Sequence, residues 1–144
     1  QIEEEIKELH LEGRVILTGI RGDVPDFMSA LDVLVFPSRF EGLPLTLIEA
    51  QAAGLPSLIS DTITGDVIVT EGIVQQLSIE LDPKEWAERA VLLAKEQSDR
   101  TCPYESIAAA GYDIRQLVQW YQEFIQKNIN RVQNEKEDLS EDTE

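Results

Sequence analysis

Residues 38–56 read Ser38-Arg39-Phe40-Glu41-Gly42-Leu43-Pro44-Leu45-Thr46-Leu47-Ile48-Glu49-Ala50-Gln51-Ala52-Ala53-Gly54-Leu55-Pro56. An apolar run, residues 33–36, precedes them, and another short one, residues 57–60, follows. Strand, glycine-bearing turn, apolar helix and strand in that order make a βαβ unit with parallel strands. Ligands of such sheets gather at the carboxyl ends of the strands, where helix N-termini point. Arg39, Glu41 and Gly42 fall at that place in the chain.

The pattern predicts a helix over about 43–53, apolar nearly all round and so buried on most sides. Pro44 suits its first turn, where a missing N–H costs nothing, and Gly54 suits its C-terminal stop. Glu49 stands within it, sharing a face with Thr46 three residues back. A carboxylate is seldom buried without a partner, so Glu49 is either paired or a partly exposed helix residue. Glu41 precedes the first turn, beside amides that attract anions such as phosphate, helped by the helix dipole. Ser38-x-x-Glu41 also has the form of a capping box, but that start would drive Pro44 into the helix interior at ~3 kcal/mol. With a rise of ~1.5 Å per residue, Glu49 lies roughly 8–10 Å along from the helix start. The anion-binding amides then fall between the two carboxylates. That suits an elongated ligand with hydroxyls at both ends and phosphates in the middle better than an acid/base pair.

The chain has 144 residues, enough for one domain or part of one. No apolar run approaches the ~20 residues of a spanning helix, and no signal peptide is visible. Gln1 is no natural start, so an upstream segment is expected. A single Cys102 excludes an internal disulfide and fits a reducing compartment. The formal net charge of −16 argues against a nucleic-acid surface or an anionic-membrane patch. There is no zinc-type cluster, nucleophile elbow or phosphate-binding Gly-Lys-Ser/Thr loop, and neither a metal nor a cofactor is expected.

Along the chain, Ile2, Ile6 and Leu9 give residues 1–10 one apolar helical face, with His10, the only histidine, at its end as a surface or capping residue. Residues 15–18 read as a buried strand, followed by a tight turn, Gly19-Ile20-Arg21-Gly22. Asp23 caps a short helix over 24–31 with Phe27, Met28 and Leu31 on its apolar face. Residues 67–69 and 73–77 are shorter strands or turns. Asp82-Pro83 opens a helix to about 95, residues 103–110 form another, and Asp113 caps a long one to about 128. Leu117, Trp120, Tyr121, Phe124 and Ile125 line the last helix as packing residues. Residues 129–144 are dense in charge and read as an acidic disordered tail after a domain at 1–128.

The run from Asp32 to Pro44, DVLVFPSRFEGLP, followed by Glu49-Ala50 and Gly54-Leu55-Pro56, resembles the donor-binding half of retaining GT-B glycosyltransferases of the family 4 type. Glu41 and Glu49 have the spacing of that family's Glu-x7-Glu signature. The resemblance covers about residues 10–125. It implies an α/β fold, a Rossmann-like parallel sheet with flanking helices, as part of the C-terminal domain. It implies an enzyme that moves a sugar, with retention, from a nucleotide diphosphate-sugar, UDP-sugar by frequency in the family, in polysaccharide or glycoconjugate synthesis. By carry-over, Glu49 holds the ribose hydroxyls. Glu41, the residue given a catalytic role, holds sugar hydroxyls beside amides near Gly42 and Leu43. Amides near Leu45 and Thr46 hold the phosphates. The Gly19 turn borders the nucleobase, with Arg21 either at the base or solvated, and Arg39 lies near the site.

The same resemblance implies an acceptor domain outside this chain, and upstream basic residues against the diphosphate. The isolated chain is therefore expected to be catalytically silent. The whole enzyme is expected in the cytoplasm, peripherally at the inner face of the membrane. The last helix of such enzymes crosses onto the partner domain, so its stripe is expected to drive self-association of this chain. The alternative is a non-catalytic nucleotide-binding or protein-interaction module on a Rossmann-like fold.

Overall fold

A computed structural model describes residues 1–97 and 100–141, with side chains as far as residue 131. The elements are α1 (Ile2–Glu8), α2 (Val24–Ala30), β1 (Leu34–Phe36), α3 (Leu45–Ala52), β2 (Ser57–Ser60), β3 (Val74–Leu77), α4 (Pro83–Glu96), α5 (Tyr104–Ala109) and α6 (Ile114–Glu141). The three strands lie in the order β1-β2-β3, all parallel, with Leu34 opposite Ser57 and Ser57 opposite Val74. This is the Rossmann-like α/β arrangement expected, consistent with a GT-B domain.

β2 is central and all of its residues are buried. Successive side chains of a strand point to opposite faces. Leu58 accordingly packs with Trp86, Ala90 and Leu93 of α4, while Ile59 packs with Leu47 of α3, Ile63 and Val67 on the other face. Helices on both faces are what an all-parallel sheet requires. A third cluster, Met28, Ala50 and Leu55, seats α2 against α3.

The punctuation of α3 works as its sequence suggests at the C-terminal end. Ala53 is the cap residue and Gly54 follows at φ +63°. The Gly54 amide donates to the Gln51 carbonyl at 2.9 Å and the Leu55 amide to the Ala50 carbonyl at 2.8 Å, a Schellman motif. A Cβ on Gly54 would also stand 2.6 Å from the Thr101 carbonyl oxygen. At the other end Pro44 is the cap residue itself, one position earlier than its expected place in the first turn.

α4 opens on a full capping box. Asp82 Oδ1 accepts from the Lys84 amide at 2.8 Å, and Glu85 Oε2 from the Asp82 amide at 3.2 Å. α6 is capped by Asp113, whose Oδ1 accepts from the Arg115 amide at 3.0 Å. His10 ends α1 at φ 53°, its amide donating to Lys7 and the next amide to Ile6, so a histidine fills the left-handed capping position.

Residues 15–18 are not a strand. Val15 makes one isolated bridge to Glu12, and Ile16 and Leu17 are exposed. An apolar run becomes a strand only when a ladder receives its backbone groups, and no sheet strand lies beside this one. Of the two segments expected as short strands or turns, 73–77 contains β3, while 67–69 begins at the end of a 3-10 turn at 65–67 and is not a strand.

α6 runs on past residue 128, so residues 129–141, expected to be disordered, continue the helix. Gln, Glu, Lys, Arg and Leu make up about half of it, and all are good helix formers. The last three residues of that tail lie outside the described residues.

Candidate functional site

The carboxyl ends of β1 and β2 open onto the segment between Pro37 and Pro44, which leads into α3. No side chain caps α3. The first amides of a helix have no acceptor within it, and at this start the Leu47 amide is satisfied by the Pro44 carbonyl at 2.9 Å. Leu43, Leu45, Thr46 and Gly42 are all exposed around this start, and a Cβ on Gly42 would meet open space.

Glu41 is half-buried and its Oε1 accepts a hydrogen bond from Ser38 Oγ at 2.8 Å. The Ser38–Glu41 pair is therefore real, yet it is not a capping box, because α3 begins at Leu45 and not near Arg39. Arg39 is exposed and makes no ion pair among the described residues. Its guanidinium is available to an anion near the loop.

Glu49 is exposed, which settles the alternative of a buried, paired carboxylate. It lines a cleft of about 380 Å³ between α2 and α3, with Val24, Pro25, Met28, Ser29, Ala52 and Ala53. The walls are apolar and the carboxylate is the one charged group among them. The first residues of α2 thus lie across this cleft from Glu49, and α2 follows directly on the Gly19–Gly22 turn.

Gly19 is at φ +63°, as a tight turn needs. Arg21 does not project as a free cation. It forms an ion pair with Asp23 and lies 4.7 Å over the Phe27 ring. The guanidinium holds the Asp23 carboxyl below the usual carboxylate range. Asp23 occupies the cap position of α2 but makes no side-chain cap bond, because Arg21 takes its carboxylate.

Several residues that shape the site were not singled out from sequence. Gln51 is wholly buried in α3 and fully used. Its Nε2 donates to the Leu47 and Val67 carbonyls, and its Oε1 accepts from the Val69 and Thr70 amides. One amide side chain thereby ties α3 to the segment before β3. Ser60 and Thr62, at and just beyond the end of β2, both donate to the Ser38 carbonyl. The signal was an amide in a helix with few polar residues and a Ser-x-Thr at the end of an apolar strand.

A second polar cluster lies away from this edge. Asp113, buried, accepts from Arg115 Nε at 3.1 Å, from Arg115 Nη2 at 3.2 Å and from the Tyr104 hydroxyl. The Arg115 guanidinium first, then the Tyr104 hydroxyl, holds its carboxyl down at about 2. The same contact with Asp113 pushes the Tyr104 hydroxyl up. This network joins α5 to the start of α6.

A parallel sheet flanked by helices, with an uncapped helix start between two acidic side chains at its carboxyl edge, defines a Rossmann-like α/β domain. The chain belongs to the family described as glycosyl transferases group 1, whose model matches residues 1–96.

Among curated relatives it is similar to a putative glycosyltransferase, EpsF, of Bacillus subtilis, 40% identical over 119 residues, which cover 82% of this chain and 31% of that protein. It is similar to a UDP-Gal:alpha-D-GlcNAc-diphosphoundecaprenol alpha-1,3-galactosyltransferase of Escherichia coli, 39% identical over 75 residues, 52% of this chain and 19% of that protein. A third relative is an N,N'-diacetylbacillosaminyl-diphospho-undecaprenol alpha-1,3-N-acetylgalactosaminyltransferase of Campylobacter jejuni, 28% identical over 130 residues, 83% of this chain and 32% of that protein. The chain thus spans about a third or less of the length of these relatives. No solved structure matches it. No helix among the described residues is long and apolar enough to cross a membrane.

Proposed function

We propose that this chain is the donor-binding part of a glycosyltransferase that moves a sugar from a UDP-sugar to an acceptor with retention at the anomeric carbon. The observation that carries this reading is the uncapped start of α3 at the carboxyl edge of the sheet, with Glu41 before it and Glu49 beyond it on an open cleft. An anionic diphosphate fits the amides near Leu45 and Thr46, helped by the helix dipole. Arg39 adds the charge those amides lack. Glu49, at the mouth of an apolar cleft, is suited to ribose hydroxyls. Glu41, with amides near Gly42 and Leu43, is suited to sugar hydroxyls. The Gly19–Arg21 turn borders the base through its backbone, since Arg21 is already paired.

In the reaction the bond from the anomeric carbon to the diphosphate breaks while the bond to the acceptor oxygen forms. The acceptor's proton leaves with the diphosphate. The site must stabilise negative charge on the departing diphosphate while the sugar becomes cationic. The helix start and Arg39 meet that charge on this side. The acceptor belongs to the remainder of a protein of which this chain is about a third, by the lengths of its relatives. The chain alone is therefore silent in transfer.

Polysaccharide or glycoconjugate synthesis is the proposed setting, at the cytoplasmic face of a membrane. Two relatives carry diphosphoundecaprenol lipids in their names. The stripe of Leu117, Trp120, Tyr121, Phe124 and Ile125 on α6 is exposed. It is the surface on which the acceptor half of such an enzyme rests, and in the isolated chain it supports pairing with a second copy.

Calorimetric titration of the chain with UDP-sugars and GDP-sugars tests the reading, with Glu49→Ala as the control. Binding of a UDP-sugar that Glu49→Ala weakens by about tenfold or more, as for a hydrogen-bonded charged group, supports it. Equal binding by the variant refutes the role of Glu49.

A further inference from the structure

The loop that carries Glu41 is fastened from the end of the neighbouring strand. Ser60, the last residue of β2, is wholly buried, and Thr62 lies two residues further on, exposed. Thr62 Oγ1 donates to the Ser38 carbonyl at 2.9 Å, and Ser60 Oγ donates to the same oxygen. The two hydroxyl oxygens are 3.0 Å apart. A carbonyl oxygen has two lone pairs, and here both have a donor. Rotating the peptide that follows Ser38 would break both bonds at once. The side chain of the same residue then reaches forward, Ser38 Oγ lying 2.8 Å from Glu41 Oε1 and 3.2 Å from the Phe40 carbonyl, so that its one proton goes to the nearer, charged oxygen of Glu41. Glu41 Oε2 accepts nothing among the described residues, so one carboxylate oxygen is held and the other is left to a ligand.

We propose that Ser60 and Thr62 are positioning residues for Glu41. They lock the Ser38 peptide, and through the Ser38 hydroxyl they aim the free carboxylate oxygen at a sugar hydroxyl of the donor. This rests on the donor-binding reading above. Neither residue touches the donor in this scheme. Their effect is therefore confined to the sugar, while the nucleotide is held by Glu49 and the amides of α3.

The test uses Thr62→Val, which keeps the β-branched shape at an exposed position and removes the hydroxyl, with Thr62→Ser as the variant that restores it. Two quantities are read on the chain: NMR order parameters of the amides at 39–42, and calorimetric affinities for UDP and for UDP-glucose. Thr62→Val is expected to lower the order parameters at 39–42. It should weaken UDP-glucose about fivefold, the worth of one hydrogen bond, and leave UDP within about twofold. Thr62→Ser should return both to the parent values. Unchanged order parameters in Thr62→Val overturn the proposal, and so does an equal loss of UDP and UDP-glucose, which would mark a general structural role. A parent chain that binds neither nucleotide overturns the donor-binding reading instead, and the order parameters still decide whether the clamp holds the loop.

Discussion

Residues 15–18, VILT, are more apolar than residues 57–60, SLIS, yet only the second set is a strand. SLIS lies between two parallel neighbours, buried at every position, with helices over both faces. VILT has one isolated bridge, and Ile16 is 77% exposed. The difference lies in what receives the backbone and covers the side chains. β2 has a neighbour on each side and a helix on each face. The earlier run has neither, although its intrinsic preference for strand is as strong.

That contrast predicts a wide spread of mutational effects. Leu58→Ala, at the centre of β2 and fully buried against α4, is expected to cost about 3 kcal/mol in urea unfolding. A cost below about 1 kcal/mol would mean that the sheet centre can collapse around the cavity. Gly54→Ala comes next, at about 2 kcal/mol, from left-handed strain at φ +63° and the 2.6 Å approach to Thr101. The same change at Gly42, where a Cβ meets open space, supplies the contrast and should be far milder.

A smaller effect follows from Asp113. Its folded value of about 2 lies below the ordinary 3.8, so the folded state favours the charged form. The resulting stability is fully present above about pH 4 and is lost as pH falls towards 2. Asp113→Asn should flatten that part of the acid unfolding curve, and an unchanged slope would remove the α5–α6 network from the explanation. At the bottom of the scale, Leu17→Ala should shift the unfolding midpoint by no more than the equivalent of about 0.5 kcal/mol. A loss near that of Leu58→Ala would show residues 15–18 to be packed after all.

The same contrast explains what could be read from the sequence. The βαβ unit was legible because its glycines and prolines mark ends with a backbone reason. Gly54 in the Schellman motif and the Asp82 capping box before Pro83 are local devices, complete within a few residues. Glu41 and Glu49 were legible as a pair from their spacing around one helix start, Glu41 in the loop before α3 and Glu49 within it.

Contacts between distant segments were not legible. Gln51 was not singled out, and its four bonds run to Leu47, Val67, Val69 and Thr70. Ser60 and Thr62 reach a carbonyl more than twenty residues earlier. Arg21 was expected either at the base or solvated, and it is held instead by Asp23 and Phe27. The extension of α6 beyond residue 128 was missed because the dense charge there was read as disorder, whereas several of those charged residues are helix formers that carry the backbone on.

The central claim is that the carboxyl edge between Glu41 and Glu49 receives a nucleotide-sugar. It is tested most directly by titrating the isotope-labelled chain with UDP-glucose and mapping the amide shifts. The result predicted is a saturable set of shifts centred on Glu41, Gly42, Leu43, Leu45, Thr46 and Glu49, reaching the Gly19 turn. Saturable shifts centred instead on the outer face of α4, around Val91 and Leu92, with the start of α3 unmoved, would contradict it.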